Sequence, residues 1–153
     1  MKLSDLLVSD VIASDLAFTS EEITVSSTAT NNLPNLVVED ATSPTQGVLG
    51  GTFEVSWTVS NNTDVDAIAS WYDYVYLSDD EIYDSTDAYI IAQWTGNNTP
   101  LPAGDNYTVT RNITLPGNGE TGSQYLLFIA DRYNYQEETD ETDNVTAVAI
   151  EIE

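Results

Sequence analysis

The chain has 153 residues, 41% of them hydrophobic, with three tryptophans and nine tyrosines, which is enough apolar mass for one packed domain. Its 26 Asp and Glu face only Lys2, Arg111 and Arg132, for a formal charge of -23, so a nucleic acid or an anionic membrane surface would be repelled. Neither histidine nor cysteine is present, which excludes disulfides, thiol catalysis, thiolate zinc sites and the usual Ser-His nucleophile; any metal must be held by oxygen, as Ca²⁺ or Mg²⁺ are.

Residues 1–33 read as a leader. It holds a short repeat, SDLLV, SDVIA and SDLAF (4–8, 9–13 and 14–18), whose five-residue period fits neither a helix nor a strand. Leu3, Leu6, Leu7 and Val11 could share a helix face. Asp5, Asp10 and Asp15 interrupt the apolar run that a signal peptide needs, and no stretch has the length of a transmembrane helix. EEITVS (21–26) reads as a strand, followed by a polar linker. From Pro34 onward short β-type runs recur between Gly, Pro, Asn and Asp. Seven strands are expected: 35–41, 52–60, 70–78, 88–94, 106–115, 123–131 and 144–152. Phe53, Val55, Trp57 and Val59 share one parity, as do Tyr107, Val109, Ile113 and Leu115, with Ser, Thr, Asn and Glu between them. Such alternation marks strands with one buried and one wet face. SQYLLFIAD (123–131) is apolar almost throughout, as a central strand covered on both faces would be. The pattern predicts an all-β, immunoglobulin-like antiparallel sandwich at 34–153, preceded by the N-terminal extension.

Two residues break the alternation. Asp73 shares parity with Trp71, Val75 and Leu77, and Arg111 with Val109 and Ile113. Either charge alone would be costly to bury, so the two could pair as a structural ion pair; the alternative is that one or both sit at a sheet edge where the inward face is wet. Carboxylates gather in two stretches. YLSDDEIYDSTD (76–87) offers Asp79, Asp80, Asp84 and Asp87, and Asp131 followed by QEETDETDN (136–144) offers Glu138 and Asp140. Both lie between strands, where loop carbonyls could complete a Ca²⁺ shell, though neither fits the EF-hand spacing. The alternative is a solvated acidic surface holding diffuse counterions.

Aromatic residues cluster from Trp71 to Trp94, and Tyr72, Tyr74 and Tyr76 share one strand face. That stripe could stack on sugars or simply pack between strands. Five N-x-S/T sequons, at Asn61, Asn97, Asn106, Asn112 and Asn144, are candidate glycan acceptors. Two carboxyls across a sugar cleft would be needed for a glycosidase, and nothing in the pattern suggests such a cleft.

Several stretches resemble the CARDB family, the cell-adhesion-related domain found in bacteria and archaea. They are PNLVVEDATSP, GGTFEVSWTVSN, WYDYVYLSDD (71–80), LPAGDNYTVT (101–110) and ETDETDN (138–144). The last is similar to the family's E-x-N-E-x-N-N signature, with Asp140 and Asp143 where Asn is usual. The resemblance spans roughly residues 34–152. It implies an immunoglobulin-like sandwich used as one module of a long secreted or surface protein, with no established catalytic activity. The expectation is therefore a non-catalytic extracellular or cell-surface module for adhesion or structure, stabilised by Ca²⁺. Its partners would be other protein modules, copies of itself or surface glycans, with no nucleic acid and no direct membrane insertion. Two rivals stand beside it: a filament subunit whose leader donates a strand to its neighbour, and a carbohydrate-binding module using the tyrosine stripe.

Overall fold

The computed structural model describes residues 32–153. The leader, with its repeat, its candidate strand at 21–26 and the idea of strand donation, lies outside the described residues.

Every run read as a strand from residue 34 onward forms one. They are β1 (Leu36–Thr42), β3 (Thr52–Asn61), β4 (Tyr72–Ser78), β5 (Ala88–Trp94), β6 (Asn106–Thr114), β7 (Gly122–Ile129) and β8 (Val145–Ile152). An eighth element, β2 (Gln46–Gly47), is two residues long, too short to show alternation in the sequence. Among the described residues there is no helix, and hence none long and apolar enough to cross a membrane. β1, β3 and β6 form one antiparallel sheet, with β3 in the middle. The other sheet runs β2-β8-β7-β4-β5 and is antiparallel except for the β2–β8 pair. The two stack as an immunoglobulin-like sandwich.

The inward parity read from the sequence is the core. Val55, Trp57 and Val59 of β3 and Val109 and Ile113 of β6 meet Val75 and Leu77 of β4 and Leu126 and Phe128 of β7. The Trp57 and Phe128 rings lie 5.6 Å apart across the two layers. Cutting either ring to Ala would cost roughly 3–5 kcal/mol. β7 is the central strand of its sheet, as its apolar run predicts. Leu126 and Phe128 face the core, while Leu127 and Ile129 are buried on the opposite face beneath Tyr76.

A bulge between Glu39 and Thr42, with Asp40 at φ 51°, lets the chain leave β1 and change sheets. β2 then lies parallel to the last residues of β8. Gly47 gives close packing there: a Cβ would stand 3.0 Å from Leu115 Cδ1 and 3.1 Å from Phe53 Cε1, so a larger residue would have to push those side chains aside. β1 begins where β8 begins: Thr146 donates its hydroxyl to the Val38 carbonyl at 2.7 Å. β8 ends at Ile152 beside Gly47 and Gly122. Residues 35 and 153 thus lie at opposite ends of the sandwich, roughly 25 Å apart by the rise of β8.

Candidate functional site

The acidic segment after β7 folds inward. Asp131 takes φ 43°, a left-handed turn that Asp tolerates, and its carboxylate accepts the N–H groups of Tyr135 at 2.9 Å and Gln136 at 2.6 Å. Gln136 Oε1 accepts from Ala69 N at 3.0 Å. Glu138 is buried, with Oε2 accepting from Leu36 N at 2.5 Å and Oε1 from Asn144 Nδ2 at 2.7 Å. Asn35 donates to Asp143 Oδ2 at 2.8 Å and accepts from Thr139 Oγ1 and Asp140 N, each at 3.0 Å. Thr139 N donates to the Pro34 carbonyl at 3.0 Å. The segment is therefore a clasp that holds residues 34–36 where the chain joins the sandwich.

Burial pushes the Glu138 carboxyl up to about 8, with Glu141 and Asp131 adding to the rise and the Leu36 and Asn144 donors opposing it. Burial also raises Asp131 and Glu141. Asn144 donates to both Glu138 Oε1 and the Ala130 carbonyl, which fixes which end of its amide is nitrogen. Its Oδ1 is then left buried without a partner, as is Asp143 Oδ1. Asn144 lines a cavity of about 160 Å³ together with Asp131, Glu141 and Arg132. Asp140, the third member expected here, points away. It accepts from Thr142 N and Oγ1, at 2.8 and 2.6 Å, and these bonds hold its pKa below the usual carboxylate value.

The other acidic stretch, between β4 and β5, turns its carboxylates onto its own backbone. Asp80 accepts from Ile82 N at 2.7 Å, Asp84 from Thr86 N and Oγ1 at 2.6 Å, and Asp87 from Asp84 N at 2.8 Å. These are Asx-type turns on the surface. Asp79 is exposed beside them and shares with Asp87 and Glu120 the rim of a cavity of about 300 Å³. Among the described residues no three acidic side chains converge on one metal-holding point.

The expected pairing of Asp73 with Arg111 is overturned. Asp73 is 1% exposed and sits between the sheets as a carboxylate with three aromatic donors. Trp57 Nε1 donates at 3.0 Å, Trp71 Nε1 at 3.1 Å, and the Tyr107 hydroxyl lies within 3.0 Å of both oxygens. Burial without a counter-cation lifts its pKa to about 7 against the lowering effect of those donors. Arg111 belongs to the other sheet, on its edge strand β6, where its side chain is exposed and donates from Nε to Gln93 Oε1 at 2.6 Å. An edge position gives a long cation a path to water that the middle of the core does not. The clue in the sequence was Trp57 and Tyr107 on inward parity: polar-tipped rings in a core need an acceptor.

Tyr72, Tyr74 and Tyr76 do share the outer face of β4, but not equally. Tyr72 is exposed, Tyr74 half-buried and Tyr76 buried. Arg132 lies over this row, 4.5 Å from the Tyr83 and Tyr133 ring centres, and donates to the Tyr83 hydroxyl. Strand register puts Trp94 directly opposite Tyr72, their rings 4.8 Å apart, and Tyr89 opposite Tyr76. The exposed rings of this face are therefore Tyr72, Trp94, Tyr89 and Tyr133, a set that β4 alone could not reveal. Of the sequons, Asn97, Asn106 and Asn112 are exposed. Asn61 and Asn144 are corrected as glycan sites: both are buried, and Asn61 spends its amide on the carbonyls of Val65 at 2.7 Å and Leu101 at 3.3 Å.

A family model described as CARDB matches residues 33–148. No curated protein matches the chain. Among solved structures, the CARDB domain of a Pyrococcus furiosus protein, crystallised in complex with di-metal ions, is similar with a TM-score of 0.60 and 19% identity, over 80% of this chain and 96% of that one. A solution structure of that Pyrococcus furiosus domain gives a TM-score of 0.58 and 17% identity, over 79% and 96%. A domain of a candidate cell surface protein from Methanosarcina acetivorans gives 0.57 and 18%, over 79% and 93%. At these identities the likeness is one of fold.

Proposed function

This chain belongs to the CARDB family, and from that premise we propose that it is a non-catalytic adhesion or structural module of the cell surface, stiffened by Ca²⁺. The clasp at 131–144 carries the reading. It locks the point where the chain joins the sandwich to the loop between β7 and β8, while residue 153 lies at the far end. A module held at one end and leaving at the other suits a link in an extended surface protein, next to other modules or copies of itself. Its one carboxyl with a strongly raised pKa in this segment, Glu138, is buried and engaged by two donors, which fits a structural role better than acid catalysis.

The oxygens in and beside the clasp fit a hard cation. Asn144 Oδ1 and Asp143 Oδ1 are unpaired, and Asp131 and Glu141 line the same cavity as Asn144. A Ca²⁺ ion drawn to this cavity, with loop carbonyls and water supplying the oxygens its scattered carboxylates do not, would offset the repulsion that adds to the burial-driven rise of Glu138 and Glu141. The Pyrococcus furiosus domain with its di-metal ions supports ion capture on this fold. A candidate cell surface protein with the same fold supports the location.

The test is thermal melting at low ionic strength with EDTA, with millimolar CaCl₂, and with NaCl at matched ionic strength. Ca²⁺ should raise the midpoint by several degrees beyond the NaCl control, and Glu141→Gln should abolish most of that excess. Equal shifts from Ca²⁺ and NaCl would leave only diffuse screening and remove the Ca²⁺ part of the proposal.

A further inference from the structure

The exposed rings of the five-stranded sheet, Tyr72, Tyr89 and Trp94, have no part in the core, the clasp or the cation chemistry, and Tyr133 joins them from the segment after β7. Trp94 is 46% exposed, Tyr72 38%, Tyr89 58% and Tyr133 56%. Tyr72 and Trp94 are cross-strand partners, so their rings project from the same side of the sheet. Tyr89 and Tyr133 extend the row on either side of half-buried Tyr74, at 6.3 and 5.6 Å between ring centres.

The row is held in place rather than merely exposed. The indole of Trp94 lies against the backbone of Gly96, where an added Cβ would fall 2.2 Å from Nε1 and 2.6 Å from Cε2. Only glycine allows that contact. Tyr72 supports the indole from its other neighbour at 4.8 Å. An exposed tryptophan fixed before any partner arrives loses little freedom on binding.

We propose that this face, centred on Trp94 and Tyr72, is a stacking platform for neutral carbohydrate. The rings offer apolar faces of negative electrostatic character with hydroxyl and N–H groups at their tips. A sugar ring offers the complement: a face of weakly positive C–H groups bordered by hydroxyls. Charge selects among the alternatives. A chain of net charge -23 repels nucleic acids and acidic glycans. At the Tyr133 end of the row a cation is already present, since Arg132 sits over Tyr76, Tyr83 and Tyr133. Cavities of about 300, 160 and 250 Å³ are lined by other residues, and none of the three includes Trp94, Tyr72, Tyr89 or Tyr133. The proposal is independent of Ca²⁺; if it fails, the adhesive reading loses a target while the structural reading stands.

The test is titration of the full chain with maltohexaose, cellohexaose, chitohexaose and mannohexaose, followed by tryptophan fluorescence and calorimetry. Trp57 and Trp71 are buried, so a change in emission reports Trp94. At least one neutral hexasaccharide should bind and shift the emission. Trp94→Ala should weaken that binding at least tenfold, and Gly96→Ala, which displaces the indole without removing it, severalfold. Melting midpoints within a degree or two of the parent would show that neither variant acts through unfolding. The proposal falls if none of the four sugars binds, or if Trp94→Ala binds as well as the parent. It falls equally if sedimentation shows the chain self-associating through this face and Trp94→Ala making it monomeric.

Discussion

The two acidic stretches have nearly the same composition and opposite fates. Between β4 and β5, Asp80, Asp84 and Asp87 bond to amides two or three residues away and stay at the surface. Between β7 and β8, Glu138 and Asp131 are drawn under the surface, and Glu138 bonds to Leu36, 102 residues distant in the chain. The difference lies in what surrounds each stretch. The first closes a connection between neighbouring strands and needs only local turns. The second passes beside the free N–H groups at the start of β1, which require acceptors once buried. Carboxylate content therefore does not measure what an acidic loop does; the sequence distance of its hydrogen-bond partners does.

Asp73 is the inward case at its limit, and its removal should have the largest effect. Asp73→Ala leaves the Trp57 N–H and the Tyr107 hydroxyl buried without their acceptor, leaves Trp71 only the Tyr107 oxygen, and opens a cavity beside them. Chemical denaturation should show a loss of roughly 3–5 kcal/mol. Asp73→Asn keeps the volume and one acceptor, and the Tyr107 hydroxyl can turn to accept from the new amide. Its cost should be closer to about 1–3 kcal/mol. If Asp73→Ala costs less than Asp73→Asn, the carboxylate is not the hub that the geometry implies.

Inward and outward carboxylates also separate by pH. Asp73 rises from 3.8 unfolded to about 7 folded, and Glu138 from 4.5 to about 8. A raised folded pKa means that the native state holds the proton more tightly. Its contribution is fully present below the unfolded values near 4 and is lost as pH climbs through 7 to 8. Self-repulsion among the surface carboxylates acts in the same direction once they ionise. The chain should therefore melt higher at pH 5 than at pH 8, opposite to a protein whose carboxylates are held by cations. Asp73→Asn and Glu138→Gln should each flatten that slope. A midpoint that rises from pH 5 to pH 8 would show these groups ionising freely within the fold.

Much of this body was legible before any coordinates, because period-2 alternation and turn residues are local signals. Each segment from residue 34 onward that reads as a strand became one, and the continuous apolar run of β7 correctly marked a strand covered on both faces. What depends on register was not legible. Trp94 meets Tyr72, and Asp73 meets Trp57 and Tyr107, only after strands far apart in sequence are aligned. A single inward Asp and a single inward Arg look like partners until one falls in the middle of the sandwich and the other at its edge. Burial of Asn61 and Asn144 was hidden for the same reason: a sequon is a local pattern, while the carbonyls that claim these amides come from other segments. β2 escaped because two residues carry no period.

The smallest effect sharpens the comparison of the two loops most. Asp84 is exposed, its pKa is held low by the Thr86 hydroxyl and N–H, and its partners lie within three residues. Such a turn reorganises cheaply and exchanges its bonds for water. Asp84→Asn should therefore leave the melting midpoint nearly unchanged at moderate salt. At low ionic strength it should be slightly stabilising, because it removes one negative charge from a chain carrying an excess of 23. Glu138, its pKa raised to about 8, carries little charge near neutral pH, so Glu138→Ala removes little charge; it strips the acceptor from Leu36 N and should cost roughly 2–4 kcal/mol at any salt. Paired melts of the two variants across NaCl concentration separate charge from architecture. A stabilisation that fades with salt belongs to charge, and a loss that persists belongs to the clasp. Equal, salt-dependent shifts in both variants would mean that the 131–144 segment is only another solvated acidic loop.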